Sequence, residues 1–236
     1  MEADVRLTVI LPGDADLMAE VRRDCLGWVG PDVRIDLVAT SVSAMPPPGR
    51  CDSSLLDSAF MREPASAVVE AAVQAAAGGS DGIYVCCAAE IGVEAAREKV
   101  AVPVVGGLFP ALHMGLLLGR RVGVLCPPDL IAVFEALIAR AGLTDRVRAL
   151  PVSLDGGAAE VDALCEAART AVERGEAEAL VLTCTILFEQ RRALGAYLAG
   201  HEIAAPIVDL TGAALAALQG LVRLSRSPSI APGSPD

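Results

Sequence analysis

Apolar residues in this chain come in short, nearly continuous runs set between longer stretches rich in alanine. Runs of that kind, too short for helices and apolar on both faces, predict buried strands of a parallel sheet. In the amino-terminal part they fall at 6–11 (RLTVIL), 34–38 (RIDLV), 82–87 (GIYVCC) and 102–106 (VPVVG). In the carboxyl-terminal part they fall at 120–126, 147–152, 178–184 and 205–210. The stretches between them predict helices at 15–28, 63–77, 91–99, 108–118, 129–141, 158–174, 187–199 and 211–224. Glycine and proline mark the joints, as at Gly78-Gly79, Pro127-Pro128 and Gly156-Gly157. Strand and helix alternate throughout, so the predicted class is α/β, with mainly parallel sheets flanked by helices.

The same order of elements occurs twice, and each copy has a strand that ends in cysteine just before a helical stretch. DGIYVCCAAEIGVEAAREKVAVPVVG (81–106) and the segment containing EALVLTC (178–184) occupy corresponding places. The weak repeat predicts two pseudo-symmetric halves, residues 1–106 and 107–210. The segment 40–57, TSVSAMPPPGRCDSSLLD, has no counterpart of equal length and reads as a substrate-selecting loop at the strand ends. SRSPSIAPGSPD, 225–236, reads as a disordered tail.

Composition narrows the functions. The 236 residues carry a net charge of −11 and are 53% hydrophobic, with only 3% aromatic. An acidic chain argues against nucleic acid as a partner. No apolar run approaches the roughly 20 residues of a membrane span, and the amino terminus lacks the basic and apolar regions of a signal peptide; a cytoplasmic location is expected. The seven cysteines are irregularly spaced without a CxxC pair, and the two histidines lie far from any cysteine pair, which argues against disulfides and against a metal site. Lys99, the only lysine, falls in the exposed-looking EAAREKV, so pyridoxal chemistry is close to excluded.

The cysteines then carry the chemistry. Ligands of open parallel sheets bind beyond the carboxyl ends of the strands, where Cys87 and Cys184 are predicted to lie. A helix start after each thiol would favour the thiolate through free N–H groups and the macrodipole. Two such thiols facing each other across a cleft could remove a proton from carbon on one face and return one on the other. Cys86 points the opposite way on an extended strand and reads as a packing residue, as do Cys25, Cys126 and Cys165. Cys51 reads as a solvent-facing loop residue. His113 reads as a helix residue, and Asp14 and Asp16 as caps for the following helix.

The segment 81–106 resembles the first-cysteine motif of the aspartate/glutamate/hydantoin racemase superfamily, most nearly its hydantoin racemase members. Asp81, Cys87, Gly92, the run Glu94 to Glu98, and Pro103 to Gly106 fit that pattern. LVLTCTILF resembles the second motif through Cys184 and Thr185, and PIVDLTGAAL resembles the strand and final helix that follow. The resemblance implies two flavodoxin-like halves with the active site between them, the last helix, 211–224, packed back on the first half, and a homo-oligomer. It also implies a racemase or epimerase that needs no cofactor and acts on a small molecule bearing a carboxylate or amide. Cys87 and Cys184 become the catalytic pair. Pro12, Gly13, Ser53, Ala88, Ala89, Thr183, Thr185 and Ile186 become the substrate-binding positions. Ala88 and Ala89 stand where amino-acid racemases carry Asn-Thr, Thr183 replaces a glycine, and Leu11-Pro12-Gly13-Asp14 replaces the usual first loop. These departures predict a less polar pocket and leave open an amino acid or an amino-acid derivative such as a 5-substituted hydantoin as substrate. They also leave open a decarboxylase or cis–trans isomerase on the same scaffold, and a non-catalytic small-molecule binding protein.

Overall fold

The computed structural model describes residues 5–13, 15–42, 59–152, 158–183 and 188–226. Its first part runs β1 (Val5–Leu11), α1 (Met18–Leu26), β2 (Val33–Ala39), α2 (Ala59–Ala77), β3 (Gly82–Val85), α3 (Val93–Arg97) and β4 (Val104–Val105). The second runs α4 (Leu108–Leu118), β5 (Val122–Cys126), α5 (Ile131–Arg140), β6 (Val147–Pro151), α6 (Ala158–Glu173), β7 (Ala179–Leu182), α7 (Phe188–Gly200), β8 (Ile207–Val208) and α8 (Leu210–Ser225). Single 3-10 turns lead into α1 and α5, within the helices expected at 15–28 and 129–141.

Two four-stranded sheets result, ordered β2-β1-β3-β4 and β6-β5-β7-β8, and every strand pair is parallel. The apolar runs need no polar alternation because both faces of each sheet are covered. Within β1, Val5, Leu7, Val9 and Leu11 join a core with α1 and with Ala214, Leu215, Leu218 and Val222 of α8. Ile10 faces the other way, into a core with Val68 and Ala72 of α2 and Val93 and Ala96 of α3. On the second sheet, Val122, Val124 and Val181 face α4 and α5. Leu125, Leu180 and Leu182 face α6 and α7. α8 starts on a well-formed cap: Asp209 Oδ1 accepts from the Gly212 N–H at 2.6 Å.

One core crosses between the sheets. Met61 of α2 and Ile91 after β3 are buried in the same cluster as Leu108 and Leu112 of α4, Val124 of β5 and Leu137 of α5. The segments 40–57 and 225–236 fall largely or wholly outside the described residues.

Candidate active site

The pleat of β3 decides which thiol faces the seam. Tyr84 and Cys86 join the core beneath α8 and α1, while Ile83, Val85 and Cys87 meet the core beneath α2 and α3. Cys87 also packs against the cluster that crosses to the second sheet, together with Ala88 and Ala89. Cys86 is thus the packing residue on the far face, as the period of two requires. Cys25, Cys126 and Cys165 are buried packing residues as expected. Cys51 and Cys184 lie outside the described residues, as do Ser53, Thr185 and Ile186.

No helix start follows Cys87 directly, which corrects the expectation of a dipole-stabilised thiolate. α3 is five residues long and begins only at Val93, after Gly92 at φ 70°. A side chain on Gly92 would meet the Ala65 carbonyl at 2.9 Å, so the backbone approaches α2 closely there. Residues 87–91 form a turn instead, with the Glu90 N–H donating to the Cys87 carbonyl at 3.4 Å. Burial pushes the Cys87 thiol up to about 12, only partly offset by hydrogen bonds from the Ala89 and Ile91 N–H groups to its sulfur. The resting group is a neutral thiol in an apolar seam, with two backbone donors in place for the thiolate when it forms.

The other expected contact positions in the described residues lie at strand ends too. Pro12 and Gly13 directly follow β1, with Gly13 at φ 91°. Thr183 follows β7; its N–H and its hydroxyl both donate to the Leu125 carbonyl, at 3.1 and 3.0 Å. This double bond to β5 fixes the carboxyl end of β7 one residue before Cys184. His113 is an exposed helix residue whose Nδ1 lies 2.7 Å from the Phe109 carbonyl.

Glu90 is a functional candidate that the sequence reading passed over. It adopts a left-handed backbone at φ 57°, rare for a residue with a long side chain. Its Oε1 accepts from the N–H groups of Leu108 and Phe109 at 2.7 and 3.1 Å, closing the start of α4. Its Oε2 is buried without a hydrogen-bond partner among the described residues. A side chain on Gly106 would lie 2.2 Å from that oxygen, so the glycine of PVVG is what admits the carboxylate. Burial raises Glu90 to about 7 against the pull of the two α4 N–H groups. The sequence signal was an acid in the otherwise apolar run YVCCAAEIG, with paired glycines ahead of α4.

Behind the site, Arg191 of α7 reaches two carboxylates. It pairs with Asp24 of α1 at 2.9 Å and with Asp209 at the start of α8, and it lies 5.9 Å from the Trp28 ring centre. The bridge ties the helix that follows Cys184 in the chain to elements of the first sheet. Among the described residues no cluster of His, Cys, Asp or Glu is arranged to hold a metal, and no helix is long and apolar enough to cross a membrane.

Comparison with known proteins agrees with this architecture. A hydantoin racemase of Paenarthrobacter aurescens is 26% identical over 152 residues, 61% of this chain and 62% of that protein's length. The allantoin racemase of Klebsiella pneumoniae superposes with a TM-score of 0.75 at 23% identity, covering 94% of this chain and 89% of that one. A liganded variant of arylmalonate decarboxylase shares the fold at a TM-score of 0.63 and 16% identity, covering 98% and 96%. The model of the Asp/Glu/hydantoin racemase family matches residues 19–218, and the chain belongs to that family.

Proposed function

We propose that this protein is a cofactor-independent racemase in which Cys87 and Cys184 act as opposing acid and base on the C5 carbon of a 5-substituted hydantoin. The observation that carries the reading is Cys87 just beyond the carboxyl end of β3, set in the apolar seam shared with the second sheet, where the Ala89 and Ile91 N–H groups favour its thiolate. Carbon acids beside a carbonyl are weak, and a thiolate in a dry site is a stronger base than one in water. One thiolate takes the C5 proton, leaving the electron pair as an enolate on the adjacent carbonyl oxygen. The opposing thiol protonates the other face, and the two sulfurs exchange roles for the reverse reaction. The N–H donors hold the Cys87 thiolate whenever it is the base.

A cyclic ureide suits the surroundings better than a free amino acid. Ala88 and Ala89 offer nothing to anchor an ammonium or a carboxylate, and both pack against the apolar core. A hydantoin is neutral, and its C5 proton is already activated by the ring carbonyl. The racemases of hydantoin and allantoin among the similar proteins act on this class of ring.

The test is deuterium uptake from solvent at C5 of a hydantoin panel including allantoin, with aspartate, glutamate and an arylmalonate as controls. Cys87→Ser and Cys184→Ser should each lose at least about 10³-fold in turnover, the scale of a missing general acid or base. Unchanged turnover in both variants would overturn the two-thiol reading. Carbon dioxide release from the arylmalonate, without exchange at any C5, would replace racemisation with decarboxylation.

A further inference from the structure

We infer that Glu90 is a positioning residue for Cys87: its carboxylate staples the 87–91 turn to the start of α4 and so keeps the Ala89 and Ile91 N–H groups on the thiol. The inference deepens the proposed function, since it concerns the surroundings of a thiol read there as acid and base.

The geometry has three parts. The turn that carries Cys87 has no regular structure of its own: it leaves β3 at Val85 and reaches α3 only at Val93. At its apex Glu90 holds a left-handed backbone, a conformation that is unfavourable for a side-chain-bearing residue and persists where surrounding contacts enforce it. The contacts that enforce it are the two hydrogen bonds from Leu108 and Phe109 to Oε1. Ala89 and Ile91, the residues whose N–H groups reach the sulfur, flank Glu90 on either side. Moving Glu90 therefore moves both donors.

Among the described residues no cation pairs directly with the carboxylate, although the charge of Arg97 favours its ionised form. Glu94 and Arg97 of α3 and Arg140 of α5 line the same cavity of about 200 Å³, with Met61 and Ala65 from α2 and Phe109 from α4. Arg140 bonds Glu94 at 2.8 Å, and Arg97 donates through Nε to the Val104 carbonyl at 2.8 Å. Glu90 is held by the α4 N–H groups and by the missing side chain at Gly106, where all three of the nearest atoms to an added carbon belong to Glu90. A pure ion pair would tolerate a shift of the chain; this seat does not.

Charge and position can be separated because they act on the thiol in opposite directions. An ionised Glu90 opposes the Cys87 thiolate by like-charge repulsion, whereas the staple supports it through the backbone donors. The experiment is alkylation of Cys87 by iodoacetamide at pH 8 without substrate, read by peptide mass so that Cys86 and Cys184 are resolved. Glu90→Gln keeps an acceptor for the α4 N–H groups and removes the charge, so Cys87 should react about twofold faster. Glu90→Ala frees the turn, and Cys87 should react about three- to fivefold slower, because lost thiolate outweighs the gain in nucleophilicity. Gly106→Ala displaces Glu90 but keeps its charge, so it should slow Cys87 at least as much as Glu90→Ala, and it should add nothing when Glu90 is already alanine.

Cys87 reacting as fast in Glu90→Ala as in the parent would overturn the inference. So would an equal slowing by Gly106→Ala in the Glu90→Ala background. Neither readout requires turnover. A protein without C5 exchange whose alkylation follows this pattern would sink the racemase reading and leave the positioning role intact.

Discussion

The two sheets repeat one strand order, yet the chain leaves their third strands in different ways. After β3 it makes a tight turn and a five-residue helix; after β7 the next helix, α7, has thirteen residues. The first exit is fastened by a carboxylate on backbone donors, Glu90 on the α4 N–H groups. Beyond the second, α7 is fastened by a cation with two carboxylates, Arg191 between Asp24 and Asp209. A duplicated scaffold thus need not duplicate its fastenings. Backbone donors suffice where the helix is short and the turn lies against its neighbour. A long helix that must be held across the molecule is tied by an arginine, which presents several donors at once.

The Arg191 fastening should yield the largest effect. The side chains of Arg191, Asp24 and Asp209 are 22%, 11% and 13% exposed, and one Asp24 oxygen is already buried without a partner. Arg191→Ala leaves two carboxylates facing each other in a mostly dry site, and should cost about 3–5 kcal/mol in urea unfolding. Arg191→Lys keeps the charge but not the fork, and should recover only part of that. If alanine costs less than about 1 kcal/mol, α7 is held by its apolar contacts and the contrast with Glu90 dissolves.

The Glu90 fastening shows itself through pH. Its folded value of about 7 exceeds the ordinary glutamate value of 4.5, so between these values the folded protein binds more protons than the unfolded chain. Stability from this group is fully present below the lower value and is lost as pH rises through 7. The loss should be on the order of 2–3 kcal/mol. Glu90→Gln removes the titration, so the stability gap between variant and parent should change by that amount between pH 5.5 and 8. Asp209, also raised by burial, keeps its slope in both proteins and cancels. A gap independent of pH would mean that Glu90 ionises freely in the folded state.

Much of this framework can be read from sequence, for physical reasons. Strands buried on both faces show as unbroken apolar runs, so the eight predicted positions match β1 to β8, with β1 and β2 running a residue further and the other six trimmed at their ends. The period of two separates Cys86 from Cys87 on sequence grounds alone, and the pleat places them in different cores. The surroundings of the thiol were less legible because they depend on where distant segments arrive. The helix expected from 91 begins only at Val93, after Gly92 with its left-handed φ, and burial then governs the thiol. Glu90 gains its meaning from Gly106 and α4, and no local pattern announces that meeting. Arg191 and Arg192 are equivalent in the string EQRRAL, and only helix phase half-buries the first while leaving the second exposed.

A second arginine sharpens the comparison by doing little. Arg140 of α5 pairs with Glu94 of α3 at 2.8 Å, so it too links the second sheet's helices to the first's. Here the side chains are 48% and 66% exposed, water screens the charges, and two long chains lose freedom in meeting. Arg140→Ala should therefore cost no more than about 0.5 kcal/mol, and 0.5 M salt should erase even that. A double-mutant cycle with Glu94→Ala isolates the pair from the apolar stem that Arg140 lays along the cavity near Leu137. A coupling above about 1.5 kcal/mol would show that an exposed link holds the halves together as firmly as a buried one. A coupling near zero would assign the tie to Arg191 and to the core shared by Ile91, Leu112 and Leu137, with burial rather than charge deciding which arginine matters.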